Sequence, residues 1–297
     1  LPSSHLNKIW TGPEVSDPKP IIYLGGDAFK FGEEALKVLR FCCVSYFQMG
    51  ANAAYRDSTF ELFRKYGIRA FLDSGAFSYQ MQVLKKNQPL DRKAAEIIID
   101  QYAEWVFRYT NEFTFDFLVT FDYLRDAEVV SWTTQRLQNR GLHPVPVYHL
   151  NSPLTALRRL VDQGYTLIGI GGLAGNTSGS HHPTSKPYAK SFLDQVFSLT
   201  ERLRVRCHGF GIGGQIIADY PWFSVDSTSW SHYARRGMVN QTSHNPQKLF
   251  DAVPVSSRIS GARFSEGDDT IARAVQNIKF WSTLTDRRRP PVKRGLF

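Results

Sequence analysis

Short apolar runs alternate with longer segments of helical periodicity along most of this chain, and that alternation restricts the fold more than any other feature. The runs are IIYLGG (21–26), FCCVSYF (41–47), IRAFLDSG (68–75), DFLVTFD (116–122), PVPVYHL (144–150), LIGIGGL (167–173), VRCHGFGIG (205–213) and WFSVDS (222–227). Between them lie amphipathic stretches such as RKAAEIIIDQYAEWVFRYT (92–110), AEVVSWTTQRLQNRG (127–141) and SPLTALRRLVDQG (152–164). In the last of these Ser152 reads as the N-cap, Pro153 as N1 and Gly164 as the C-cap. Strands that are apolar on both faces are covered on both faces, and strands that alternate with helices run parallel. Eight such units in roughly 250 residues predict an α/β chain folded as a (β/α)8 TIM-type barrel. A doubly wound open sheet is the competing arrangement.

A chain of 297 residues with 42% hydrophobic content can bury one large core. Residues 1–297 are therefore expected to form a single barrel domain, with 1–20 as a pre-barrel segment anchored by Trp10 and 237–297 as a C-terminal elaboration. Within the latter, DTIARAVQNIKFWSTLTD (269–286) reads as one amphipathic helix, and the stretch before it lacks clean periodicity. No apolar run reaches the length of a membrane span, and LPSSHLNKIW has neither the charged nor the apolar region of a secretory signal, so the expected location is the cytoplasm. Cys42, Cys43 and Cys207 make no disulfide framework and read as reduced core thiols. The formal charge of +9 suits a partner that carries phosphates. Part of the surplus is clustered, at Arg202, Arg204 and Arg206, at Arg235 and Arg236, and in a tail with Arg287, Arg288, Arg289, Lys293 and Arg294.

A parallel barrel places its chemistry where the strands end. Here the third run ends in Asp73, the fourth in Asp122, the fifth in His149, the sixth in Gly171 and Gly172, the seventh in Gly211 and Gly213, and the eighth in Asp226. One Asp at a strand end is ordinarily a helix cap or a loop ligand; several on one rim are a stronger signal. Paired carboxylates serve substitution at an anomeric carbon, one attacking or stabilising the oxocarbenium-like centre while another handles protons. Glycines at strand ends let backbone groups approach a flat heterocycle. With a basic surface, these features point to a glycosidic bond in a nucleic acid, with sugar phosphates and polysaccharides as rival substrates.

DSGAF (73–77), TFDYL (120–124), IGGLAG (170–175), HGFGIGG (208–214) and SVDSTSW (224–230) occur in the order and rough spacing of the tRNA-guanine transglycosylase superfamily, which the chain resembles over about residues 68 to 230. The resemblance implies that Asp226 is the nucleophile at C1′ of the target nucleoside and that Asp73 is the general acid/base and helps bind the base. Asp122 would then read the purine's amide and amino edge, and the backbone at Gly171, Gly172 and Leu173 the opposite edge. Ser74, Gly75 and Gly211 complete the implied substrate-binding set. The family usually has a Gln where this chain has His149, which changes the hydrogen-bond pattern offered to the base. Phe77 is expected in the core and Tyr79 near the site.

The departures from the family carry information too. The tRNA-modifying members have a zinc subdomain built from cysteines after the nucleophile, and no Cys follows Cys207 here; no zinc subdomain, metal or other cofactor is expected. In its length, lost zinc motif and DSGAF segment the chain is most similar to the DpdA branch, the phage and bacterial DNA-guanine transglycosylases. That branch implies exchange of guanine in DNA for a free 7-deazaguanine (preQ0-type) base, in the host cytoplasm if phage-encoded. The other open readings are a tRNA-guanine transglycosylase, a glycosylase that leaves an abasic site, and a non-catalytic nucleic-acid-binding relative. DNA is the expected partner, with its guanine nucleotide flipped out or single-stranded, and a homodimer is a further candidate assembly. The candidate nucleic-acid contacts are Arg235 and Arg236, the tail from Arg287 to Arg289, and Trp222 and Trp230 as wedges or stacking platforms, with barrel packing as the alternative for both tryptophans. The segment GNTSGSHHPTSKP (175–187) reads either as a lid or substrate-contact loop or as plain disorder.

Overall fold

A computed structural model describes residues 20–26, 31–85, 91–109, 112–122, 127–173, 187–245, 248–255 and 266–284. Trp10, the 175–186 part of the expected lid and the basic tail lie outside these residues.

Seven of the eight apolar runs become parallel strands: β1 Ile21–Leu24, β2 Phe41–Ser45, β3 Arg69–Asp73, β4 Val147–His149, β5 Leu167–Gly171, β6 Arg206–Gly209 and β7 Ser224–Ser227. Their order is β3-β2-β1-β7-β6-β5-β4, which leaves β3 and β4 as the two edges. The remaining run, 116–122, lies in the gap. It makes two isolated parallel bridges, Leu72 with Leu118 and Val119 with Val145. The Leu72 N–H donates to the Phe117 carbonyl (3.0 Å) and the Val119 N–H returns to Leu72 (3.0 Å); on the other side Val145 donates to Leu118 (2.7 Å) and Thr120 to Val145 (3.0 Å). These bonds close the ring, so the sequence order of the eight runs is their order around a (β/α)8 barrel.

Strand alternation then sorts the side chains. Residues such as Ala70, Leu72, Cys207 and Val225 point outward into the main core shared with the helices. Tyr23, Phe71, Phe117, Val119, Val145, Val147 and Leu167 point inward and fill the barrel, with Phe71 and Phe117 stacked at 4.7 Å between centroids. Its N-terminal end is closed by polar pairing: Tyr23 Oη donates to Asp116 Oδ2 (2.7 Å), and Arg69 Nη2 lies 2.8 Å from Asp116 Oδ1. The apolar filling between that end and the opposite rim gives the acids on the rim a low-dielectric floor.

After β7 the chain makes the helix Ser229–Arg235, then an antiparallel hairpin of β8 Met238–Thr242 and β9 Phe250–Pro254, then the helix Glu266–Leu284. The closing helix expected over 269–286 is present, whereas the hairpin had no periodic signature in the sequence. Asn277 ties the three together: its Oδ1 accepts from the Asn240 N–H (2.7 Å), and its amide donates to the Trp230 carbonyl (3.0 Å). The helix Leu154–Asp162 begins one residue later than expected, with Pro153 at the cap position and Gly164 left-handed just beyond the end.

No described helix is long and apolar enough to cross a membrane.

Candidate active site

β3 delivers Asp73 to the C-terminal mouth of the barrel because Phe71 and Asp73 share the inward face, while Ala70 and Leu72 face the helices. The chain must then turn sharply into the helix Ala76–Lys85. Gly75 makes that turn at φ +77°, where a Cβ would stand 2.5 Å from Cβ of Phe47, so only glycine fits. The Gly75 N–H donates to Asp73 Oδ2 (3.0 Å), fixing the carboxyl in an Asx-type turn. Ser74 is buried in the same turn.

Asp226 reaches the mouth from β7, paired in register with Tyr23 of β1. It is 9% exposed, and its Oδ1 accepts from the Gly211 N–H at 3.0 Å. Two further side chains complete the polar layer. His149, at the end of β4 and 3% exposed, has Nε2 3.2 Å from Oδ2 of Asp122. The approach lacks hydrogen-bond alignment, and neither ring nitrogen has a hydrogen-bond partner among the described residues. His208, on β6, places Nδ1 2.8 Å from Ser224 Oγ and Nε2 3.6 Å from Asp226 Oδ1.

Asp73 lies within electrostatic reach of both other acids. Burial pushes the Asp73 carboxyl up to about 7; the Asp122 charge adds to the rise, the Gly75 N–H bond opposes it, and the Asp226 charge adds a smaller part. Near neutral pH Asp73 is thus divided between acid and base forms, the condition for a group that must give a proton and take one back. Burial lowers the pKa of His208, with Asp226 pulling the other way. Burial also holds the Cys43 thiol, one layer below, far up and un-ionised, with Asp226 and Asp73 adding to the effect.

Asp73, Asp122, His149, Gly171, Gly211 and Asp226 therefore meet at one mouth, as their positions at strand ends predicted. Of the other expectations, those for Trp230, Trp222 and Phe77 need correction; the sixth-run glycines were expected to offer their backbone. The faces of the sixth-run glycines are already filled: a Cβ on Gly171 would stand 2.7 Å from the His149 ring, and one on Gly172 (φ +81°) 3.1 Å from Leu150 Cβ. The Gly171 carbonyl accepts from the Leu150 N–H (3.0 Å), and the Leu173 side chain lies in the outer core. These glycines let β4 and β5 pack closely, and what they leave toward the mouth is backbone. Trp230 is 0% exposed, packs tilted against Phe31 (5.2 Å between centroids) and donates from Nε1 to the Gly25 carbonyl (2.8 Å); it is a core residue and not a nucleic-acid contact. Trp222 is likewise buried, with Nε1 donating to the Ile216 carbonyl. Phe77 is 58% exposed, not core, while Tyr79 packs beside Phe121. Arg235 and Arg236 are exposed at the end of a helix that starts just past β7, about 10 Å along its axis from the rim, within reach of a strand flanking the mouth and not of the mouth itself. Arg287, Arg288 and Arg289 lie outside the described residues.

His208 was missed as a site residue. Only its inward parity opposite Ser224, a matter of strand register, separates it from its neighbour Cys207, which turns outward toward Thr200 Oγ1 (3.5 Å). Among the described residues no group of three or more His, Cys, Asp or Glu is arranged to hold a metal ion.

No family model matches the sequence, and no curated protein matches it. Among solved structures, one from Coccidioides immitis, provisionally assigned as a fructose-1,6-biphosphate aldolase, is similar with a TM-score of 0.54 over 91% of this chain and 92% of that one, at 9% identity. At that identity the likeness is one of fold, and the chemistry has to be argued from the residues.

Proposed function

We propose that this protein is a base-exchange enzyme acting on a guanine nucleotide in DNA, which it replaces with a 7-deazaguanine through a glycosyl ester on Asp226. The observation that carries the reading is the pairing of two unlike carboxyls in one mouth: Asp226, held by the Gly211 N–H, and Asp73, whose pKa is raised to about 7 by burial and by Asp122. The motifs shared with the transglycosylase superfamily supply the substrate class.

In the first step an Asp226 oxygen bonds to C1′ as the bond from C1′ to N9 of guanine breaks. Asp73 in its acid form gives its proton to the departing base, which leaves neutral. In the second step Asp73, now a carboxylate, takes the proton from the ring nitrogen of the incoming base. That nitrogen bonds to C1′, the ester bond breaks, and Asp226 returns to a carboxylate. Both steps conserve charge and protons without another reactant. Asp122 is set to accept from the amide and amino donors of the purine edge, and His149 stands beside it to complete the recognition.

The test is retention of labelled guanine in duplex DNA, single-stranded DNA and tRNA, for the wild type and Asp226→Asn. Label in DNA with the wild type, reduced by more than about a thousandfold in the variant, is the expected result. Label in tRNA alone would move the substrate to RNA. Abasic sites without label would make the enzyme a glycosylase, and exchange surviving in Asp226→Asn would overturn the nucleophile.

A further inference from the structure

His208 has no part in the steps above, yet it is a fully enclosed polar group beside them. It is 0% exposed on the inward face of β6, opposite Ser224 in register. The rings of Phe210, Phe71, Phe117 and Tyr23 surround it edge-on, at 4.6, 4.8, 5.1 and 6.1 Å between centroids. Its Nδ1 is bonded to Ser224 Oγ, while Nε2 points at Asp226 Oδ1 from 3.6 Å and has no hydrogen-bond partner among the described residues. The Gly211 N–H donates to that same oxygen. Oδ2 lies beside Gly25, where even an added Cβ would stand 3.7 Å away.

We propose that His208 and Ser224 form a positioning pair which, together with the Gly211 N–H, holds Oδ1 of Asp226 and leaves Oδ2 as the oxygen that bonds to the substrate carbon. The base-exchange reading identifies that carbon as C1′; the geometry of the pair does not depend on it.

A neutral imidazole donates from one nitrogen and accepts at the other. With an acceptor-only carboxylate facing Nε2, the proton belongs on Nε2, and Nδ1 then accepts from the Ser224 hydroxyl, which rotates to suit. The opposite tautomer would point a lone pair at a carboxylate. The ring cage resists a positive charge on His208, and burial lowers its pKa accordingly. A neutral donor steadies Oδ1 without drawing the charge away from the nucleophile, as an imidazolium would. Contacts of this kind are often long in an unliganded site and shorten when it is loaded. Once Oδ2 carries the sugar, Oδ1 is the ester carbonyl; when the ester breaks, both donors are in place for the returning charge.

Three samples test the pair: the wild type, His208→Phe, which keeps the bulk and loses the donor, and His208→Gln, whose amide can still donate toward Asp226 and accept from Ser224. His208→Phe is expected to lower kcat for base exchange about 10- to 100-fold, with the KM for the nucleic acid nearly unchanged. His208→Gln is expected to restore most of that loss. In histidine-15N-labelled wild type, His208 is expected to be the Nε2–H tautomer and to remain so from about pH 5 to 8. Equal losses in the Phe and Gln variants, or no loss in the Phe variant, would overturn the proposal. So would an Nδ1–H tautomer or an imidazole that titrates in that range. If the wild type exchanged no base at all, the functional reading would fail, and the NMR signature alone would still decide this one.

Discussion

At the residue scale the site rests on making one carboxyl reluctant to ionise. Asp73 has a folded pKa near 7 against 3.8 in its ordinary state, with burial as the first cause. Because the folded value is raised, the protonated group stabilises the fold fully below the ordinary pKa, and that contribution is lost as pH climbs toward 7. The whole shift corresponds to about 4 kcal/mol, which exposure at the mouth discounts to on the order of 1–3 kcal/mol. Asp73→Asn removes the cost while its amide oxygen still accepts from Gly75. The variant is therefore expected to be more stable than the wild type at pH 8 and to lose that advantage by pH 4, as read from denaturant midpoints across pH, even as its exchange activity disappears. A flat difference across pH would show that Asp73 is ionised at no cost. The acids were legible in the sequence because each ends an apolar run, where a barrel exposes side chains to its mouth. His208 was not, since it sits inside a run and its facing depends on register with β7. Phe77 misled for the opposite reason: Phe77 and Met81, at i and i+4, look like a core stripe, yet both are exposed.

The elements show where sequence patterns lose their force. The alternation of apolar and amphipathic segments specified the barrel, because both faces of each strand are buried. The 116–122 run has the same composition but joins the ring through isolated bridges, its backbone further held by Tyr102 Oη donating to the Val119 carbonyl (3.1 Å). The hairpin of β8 and β9 was illegible because its residues are mostly half-exposed and its apolar and polar residues do not alternate. What fixes it is the contact with the last helix, where Trp281 Nε1 donates to Asn240 Oδ1 (3.0 Å) and Asn277 bridges to the backbone at Asn240 and Trp230. Truncating Asn277 takes the acceptor from the Asn240 N–H and removes the amide donor to the Trp230 and Met238 carbonyls. Asn277→Ala is expected to cost about 2–4 kcal/mol, measured by urea unfolding, with amide exchange accelerating first in 238–242 and 250–254. Uniform acceleration across the barrel strands as well would mean that the hairpin and barrel open as one unit.

For the whole molecule the geometry sets a condition on any polymeric substrate. Asp226 and Asp73 sit at the end of strands whose inward faces are filled with aromatic rings, so a nucleotide has to come to the mouth; the carboxylates cannot extend to a base that is stacked in a duplex. Extrusion of a paired guanine costs a few kcal/mol, which contacts elsewhere must offset. With Trp230 and Trp222 committed to the core, no tryptophan wedge remains from the expected set, and on the base-exchange reading phosphate contacts by basic side chains would hold the flanking strand, in keeping with the chain's net charge of +9. Two results follow from that division of labour. Single-stranded DNA, or a duplex with the target guanine mispaired, is expected to react with a kcat/KM at least tenfold above the fully paired duplex, because the extrusion cost is absent. Binding is expected to weaken with salt along a linear log–log slope, and replacing Arg235 and Arg236 together with Ala should reduce that slope by about 2 without altering the single-strand preference. A paired duplex that reacts as fast as the single strand would mean that the protein carries an opening device elsewhere, and a slope unmoved by the double variant would place the phosphate path on another face of the barrel.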